Sequence, residues 1–250
     1  MILLLRKQSN LTGCNDQQDA LNMLLKNYPF FSMMIYGLFI YFICGYLIHA
    51  YVLPEPVPTE EMYPVSGDVI TNSFAGEQII FIKSGIETGG QYSVREFHLK
   101  AGGAVPRAHI HTEYDETFKV IKGTLTVILN GEERVLNPGD SLMVPRGVAH
   151  QPMNKGAIEL VTMNSVSPAG LHDLMLAQMH GFFTEKERVR TKAEFFLQAM
   201  LFVNYYKTYT ADLPVVVQKI LSFLLAPTAR IVGYRSWRSE YSMKWKKANR

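Results

Sequence analysis

The chain has 250 residues, room for one ordinary domain with extensions or for two small domains. Hydrophobic residues make up 48% and charged residues only 19%, so part of the apolar content is available to face lipid. The net charge is +3 and unevenly spread, and two cysteines, Cys14 and Cys44, exclude both a disulfide framework and a Cys-x-x-Cys metal knuckle.

Residues 1–29 form a polar N-terminal arm with scattered leucines, the cations Arg6, Lys7 and Lys26, and a glycosylation-type sequon at Asn10-Leu11-Thr12. Residues 30–53 contain no Asp, Glu, Lys or Arg. As a helix they reach about 36 Å, enough to cross a hydrocarbon core of about 30 Å with some tilt. The spacing predicts a single transmembrane helix there, with Tyr28, Tyr46 and Tyr51 as interfacial anchors. Cations precede it, whereas Glu55, Glu60 and Glu61 follow it. The positive-inside rule then places the N-terminus in the cytoplasm and the rest of the chain on the extracytoplasmic side. Residues 54–65 carry four prolines and read as a stiff spacer.

From 66 to 168 the texture is short β-runs punctuated by Gly, Asn and Pro. Strands are predicted at 78–83, 91–99, 117–122, 124–130, 141–145 and 157–166. Asn130-Gly131 is a type I′ hairpin signal, and Lys122-Gly123 and Pro138-Gly139 mark further turns. Closely spaced strands without intervening helices predict a sandwich or small barrel.

After Pro168 the period becomes helical, and residues 169–250 read as C-terminal amphipathic helices. Phe195, Phe196, Ala199, Met200, Val203 and Tyr206 form one apolar stripe. Asp212 is expected to cap a further helix and Pro227 to stop it. Beyond Thr228, Ile231, Tyr234, Trp237, Tyr241 and Trp245 share one helical face flanked by Arg230, Arg235, Arg238, Lys244, Lys246, Lys247 and Arg250. Such a face suits an anionic membrane, the barrel or a twin subunit. The basic run is short and no reader fold accompanies it, which argues against nucleic acid.

The chemistry concentrates between Gly103 and Asn154. His109 and His111, two residues apart on a strand, present both rings to one face; Glu116 and His150 follow. Imidazoles with one carboxylate, converging in a small barrel, make a first-row transition-metal site. Gly103, His109, His111, Glu116 and Gly123 fill every position of one motif, and Gly139, Pro145, Gly147, His150 and Asn154 every position of a second. Together they resemble the two signatures of the cupin superfamily, over about 100 of the 250 residues.

That resemblance implies a mainly β protein, a cupin-type jelly-roll barrel, here with an N-terminal transmembrane helix and a C-terminal helical extension. It further implies His109, His111, Glu116 and His150 as ligands of a divalent transition metal (Fe, Mn, Ni, Cu or Zn) and an edge-paired homodimer. Asp115 satisfies a looser spacing and Glu113 lies close by. Parity with the ligands points Phe118, Val120, Met143 and Pro152 into the pocket, with Tyr92, Arg95 or Phe97 at its mouth. His98, His172 and His180 read as surface or packing residues. The leading function is a metal-dependent dioxygenase- or isomerase-type enzyme acting on a small molecule. The alternatives are a non-catalytic binding or sensing module and a membrane-tethered structural protein that stores metal.

Overall fold

The computed structural model describes residues 29–55, 57–72, 75–105, 107–184 and 191–242. The N-terminal arm with its sequon, Cys14, and the tail cations from Lys244 onward lie outside the described residues. The chain divides into two compact units, Met1–Pro54 and Glu55–Arg250.

The first unit contains helix α1, Pro29–Leu47, continued by a π-helical turn over Ile48–Val52. Pro29 suits the first helical position because its missing N–H has no intrahelical partner there. At the other end Leu53 N–H donates to the Ile48 carbonyl at 2.7 Å, which closes the wide turn. Pro29–Val52 is long and apolar enough to cross a membrane, and none of these residues is buried.

The second unit is built on eleven strands: β1 (Val69–Asn72), β2 (Glu77–Lys83), β3 (Ser93–Leu99), β4 (His109–His111), β5 (Asp115–Lys122), β6 (Leu125–Leu129), β7 (Glu132–Leu136), β8 (Ser141–Val144), β9 (His150–Met153), β10 (Leu160–Ser167) and β11 (Thr208–Thr210). They form a six-stranded sheet, β1-β2-β3-β10-β5-β8, and a five-stranded sheet, β11-β4-β9-β6-β7. Every strand pairing is antiparallel. No ladder joins the two sheets among the described residues, so the expected closed barrel is instead a two-sheet jelly roll.

Strict alternation places one face of each central strand in the core: β3 buries Ser93, Arg95, Phe97 and Leu99. Ile79, Phe81, Leu125, Val127 and Leu160, each at most 1% exposed, fill the space between the sheets. Between β6 and β7, Asn130 (φ 49°) and Gly131 (φ 86°) take the positive φ that a type I′ turn requires.

Three helices follow: α2 (His172–Thr184), α3 (Lys192–Tyr206) and α4 (Val215–Ile231). A reciprocal capping box between Thr191 and Glu194 starts α3. Two expectations fail at α4. Its start carries no side-chain cap, because Asp212 instead pairs with Arg107 at 2.8 Å, and Pro227 lies inside the helix rather than ending it.

The predicted aromatic helix beyond residue 231 does not form over the described residues. Gly233 at φ 94° turns the backbone out of the helix, and up to Ser242 only a short 3-10 turn at Ser239–Tyr241 follows. Tyr234 and Tyr241 are buried while Ile231 is 72% exposed, so they do not share a face. The strap is held by buried polar side chains: Gln178 bonds both N–H and carbonyl of Arg238, Gln198 donates to the Arg235 carbonyl, and the Tyr206 hydroxyl to that of Ser236. Arg230, read as a flanking cation, is buried and pairs with Glu55 at 2.9 Å.

Gly123 and Gly131 both sit at positive φ, but a Cβ on Gly123 would lie 2.7 Å from the Glu159 carbonyl oxygen, whereas one on Gly131 meets nothing within 4 Å. Gly131→Ala should therefore cost about 1–2 kcal/mol from backbone conformation alone. Gly123→Ala should cost distinctly more, read as a larger fall in the melting temperature of the solubilised full-length chain.

Candidate metal centre

β4 carries two histidines because a three-residue strand returns to the same face at its third position. His109 stands directly across from His150 on β9 in the antiparallel register. Glu116 comes from β5, in the opposite sheet. The four side chains meet between the sheets, their ligand atoms all within 4.8 Å of one another. His150 Nε2 is 2.9 Å and His111 Nε2 3.5 Å from Glu116 Oε2.

Each imidazole is anchored through Nδ1. That of His109 faces the Arg107 carbonyl at 3.0 Å, and that of His150 the Val148 carbonyl at 3.2 Å. A carbonyl only accepts, so both Nδ1 atoms hold a proton; His109 keeps its Nε2 lone pair for a metal, whereas His150 Nε2 donates to Glu116 and must release that proton first. His111 Nδ1 lies 2.5 Å from the Tyr114 hydroxyl and 3.1 Å from Thr208 Oγ1.

Burial raises the cost of charging Glu116, but hydrogen bonds from His111 and His150 outweigh it and hold the carboxyl well below its usual range. Loss of water around His109, with the neighbouring His150, lowers its pKa to about 4. His111 is pushed well down by burial despite its contact with Glu116. For His150 burial acts downward too, yet the bond to Glu116 wins and its pKa rises. Near neutrality the site thus offers one carboxylate and neutral imidazoles at positions 109 and 111. That donor set fits a divalent first-row transition metal.

Glu116 is also the hub of a polar network. Arg95 Nη2 donates to its Oε1 at 3.2 Å and Asn164 Nδ2 to the same oxygen at 3.0 Å. Arg95 and Asn164 face each other across β3 and β10. Arg95 Nη1 is buried with no hydrogen-bond partner, 3.8 Å from Asp173. His172, read as packing, stands beside the cluster: its Nε2 is 3.2 Å from Arg95 Nη2 and its ring centroid 5.9 Å from that of His111.

The alternative carboxylates lie elsewhere. Asp115 accepts three hydrogen bonds from Arg146 at the surface, at 2.8–3.1 Å, and they lower its pKa to about 2. Glu113 is exposed. Of the expected pocket residues, Phe118 and Pro152 line the cavity. Val120 points inward but packs in the core beside it. Met143 is corrected: it is 54% exposed, because Phe118 registers with Leu142, so Leu142 and Val144 face inward. Arg95 and Phe97 reach the cavity, whereas Tyr92 is exposed.

Arg95 and Asn164 carried one signal in the sequence, a large polar residue at the inward parity of an alternating strand. His172 and Thr208 carried none, since their partners are distant in the chain, while Tyr114 lies three residues from its partner His111. From the cluster a cavity of about 650 Å³ opens outward along α2 and α3.

A family model described as a cupin domain matches residues 95–164. An oxidoreductase of Pestalotiopsis fici, iacF, is 32% identical over 96 residues, 35% of this chain and 47% of that protein. A mannose-1-phosphate guanylyltransferase of Salmonella montevideo is 30% identical over 93 residues, 36% of this chain and 19% of the relative. This chain therefore spans less than half the length of either. The structure of KdgF from Halomonas sp. is similar at a TM-score of 0.36 and 22% identity, over 40% of this chain and 86% of that one.

His109→Ala, His150→Ala and Glu116→Gln should each abolish or sharply lower the metal content of purified protein, while Asp115→Asn leaves it unchanged; elemental analysis reads all four. Metal loading should also weaken on acidification, because ligands must give up their protons. His150, with its raised pKa, meets proton competition first, at or above the ordinary histidine range of about 6.5. His109 meets it only near pH 4. Metal binding followed by titration calorimetry across pH checks that order.

Proposed function

From the cupin-domain match over residues 95–164 we propose that the chain is a metal-dependent, oxidoreductase-type enzyme of cupin type, held at a membrane by Pro29–Val52. Its substrate is a small molecule bound in the cavity over His109, His111, Glu116 and His150. The observation that carries the reading is Arg95, a buried guanidinium that lines the same cavity and has an Nη1 without a hydrogen-bond partner. Leaving such a donor unsatisfied costs about 1–3 kcal/mol. A carboxylate, enolate or carbonyl oxygen on a bound molecule would recover that energy and be oriented by it. The similarity to the P. fici oxidoreductase supports redox chemistry over isomerisation.

Three imidazoles and the Glu116 carboxylate would hold the metal, which supplies Lewis acidity or one-electron redox capacity when bound. The rest falls to the chain. Asn164 and Arg95 both hold Glu116 Oε1, which fixes the carboxylate and leaves its Oε2 toward the histidines. His172 is kept neutral by burial and by the nearby Arg95 charge, so its ring can exchange a proton with a bound molecule without carrying charge at rest. The apolar walls exclude water, which strengthens every one of these polar contacts.

Reconstitution with Fe(II) under anaerobic conditions, then oxygen-uptake measurements on a panel of β-diketones, enediols and carboxylates, tests the activity. Turnover is expected to depend on the metal. Arg95→Met, assayed at saturating metal because Arg95 also holds Glu116, should lower kcat/KM by roughly 10–100-fold, the worth of one hydrogen bond to a charged group. Stoichiometric ligand binding without turnover would replace the enzyme with a binding module.

The membrane anchor is supported by the uncharged length of Pro29–Val52, and its direction by Arg6, Lys7 and Lys26 before it against Glu55, Glu60 and Glu61 after it. In right-side-out sealed vesicles the cupin domain should be digested by added protease. Protection from outside would reverse the orientation.

A further inference from the structure

The metal cluster occupies one end of the cavity, and the sequence motifs account only for that end. The remaining wall comes from the helices that follow the cupin domain: Met175 and Met179 of α2, with Phe195, Phe196, Met200 and Val203 of α3. Between Phe195 and Tyr206 α3 rises about 16 Å, at about 1.5 Å per residue. The stripe that the periodicity picked out therefore lines the cavity along its length, and only at its Tyr206 end does it also join a core cluster. Phe195 and Phe196, each 46% exposed, and Phe183, 42% exposed, place large rings at its outer end, where a small soluble acid would need none.

Polarity is graded along this cavity. Arg95, Asn164 and His172 gather at the inner end with His109, His111 and Glu116, behind which lies His150. Farther out, Lys192 stands at the start of α3, and the buried His180–Glu77 pair satisfies itself at 3.0 Å. Unbranched methionines suit a flexible occupant, because their side chains re-pack around different chain conformations.

We propose that this cavity binds a long-chain amphiphile of the fatty-acid class. Its oxygen-bearing head lies at Arg95 beside the metal cluster, and its alkyl tail runs along α2 and α3 toward the phenylalanines. The assignment of the head rests on the metal-site reading above; that of the tail rests on the helices alone. A chain that carries a helix long and apolar enough to cross a membrane would meet such molecules at high local concentration.

The test uses the full-length protein in amphipol, metal-free and zinc-loaded, titrated with cis-parinaric acid and followed by its fluorescence. Saturable binding of one molecule per chain is expected. Palmitate should displace it at least tenfold better than hexanoate, since each buried methylene contributes up to about fourfold. Ala199→Trp, which fills the channel, and Phe196→Lys, which charges its mouth, should each weaken binding at least tenfold with zinc content unchanged. Arg95→Met should weaken palmitate but leave palmityl alcohol unaffected.

Equal displacement by hexanoate and palmitate would overturn the proposal, as would non-saturable uptake or unchanged affinity in both channel variants. The two readings fail separately. Zinc bound at the quartet without palmitate binding sinks the amphiphile. Palmitate binding to a chain that never loads zinc upholds the tail site and sinks the metal centre.

Discussion

A carboxylate withdrawn from water must be compensated on every side, and in this protein that carboxylate is Glu116. Burying an isolated charge costs several kcal/mol even after relaxation. Four side chains offset it: His111 and His150 on one oxygen, Arg95 and Asn164 on the other. Because those partners sit on β3, β4, β9 and β10, the requirement draws both sheets to one point. No hydrogen-bonded ladder joins the sheets among the described residues, so the polar cluster and the apolar core hold them together. The same arrangement brings the histidine nitrogens and the carboxylate together, and that convergence, once the protons between them are released, is what a metal needs.

Much of this was legible because it is local. Ligand spacing within β4, the alternation along β3 and β10, and the glycine positions at turns depend on a few consecutive residues. Gly123 illustrates the point, since its positive φ and its close approach to Glu159 both demand a residue without a Cβ. What was not legible depends on registers set across the chain. Parity with the ligands points Met143 inward. Only the pairing of Phe118 with Leu142 shows that Met143 points out. Likewise no pattern near residue 208 announces a strand, because β11 exists by virtue of its partner, β4.

The C-terminal region shows how an amphipathic pattern can be read correctly and located wrongly. The stripe on α3 is real, yet it faces a cavity. Beyond α4 the aromatic spacing matches a helix, but Gly233 breaks it and Tyr234 and Tyr241 turn inward. Buried glutamines on α2 and α3 bond this strap through its backbone, which makes its path insensitive to side-chain periodicity. Periodicity reports a face, not what covers it.

β11 has a consequence for how the protein matures. Thr208 pairs with His111 in the ladder and adds a hydrogen bond to its ring, so the edge strand bearing two histidines is completed by a segment nearly a hundred residues later. During synthesis β4 emerges early and remains a bare edge until the helices have left the ribosome. A metal captured before then would meet an unsupported pair of imidazoles. Once β11 docks, His111 and the segment that follows α3 share a ladder and a hydrogen bond. Anything that tightens the grip on the metal must then also tighten the grip on the C-terminal extension, in equal measure.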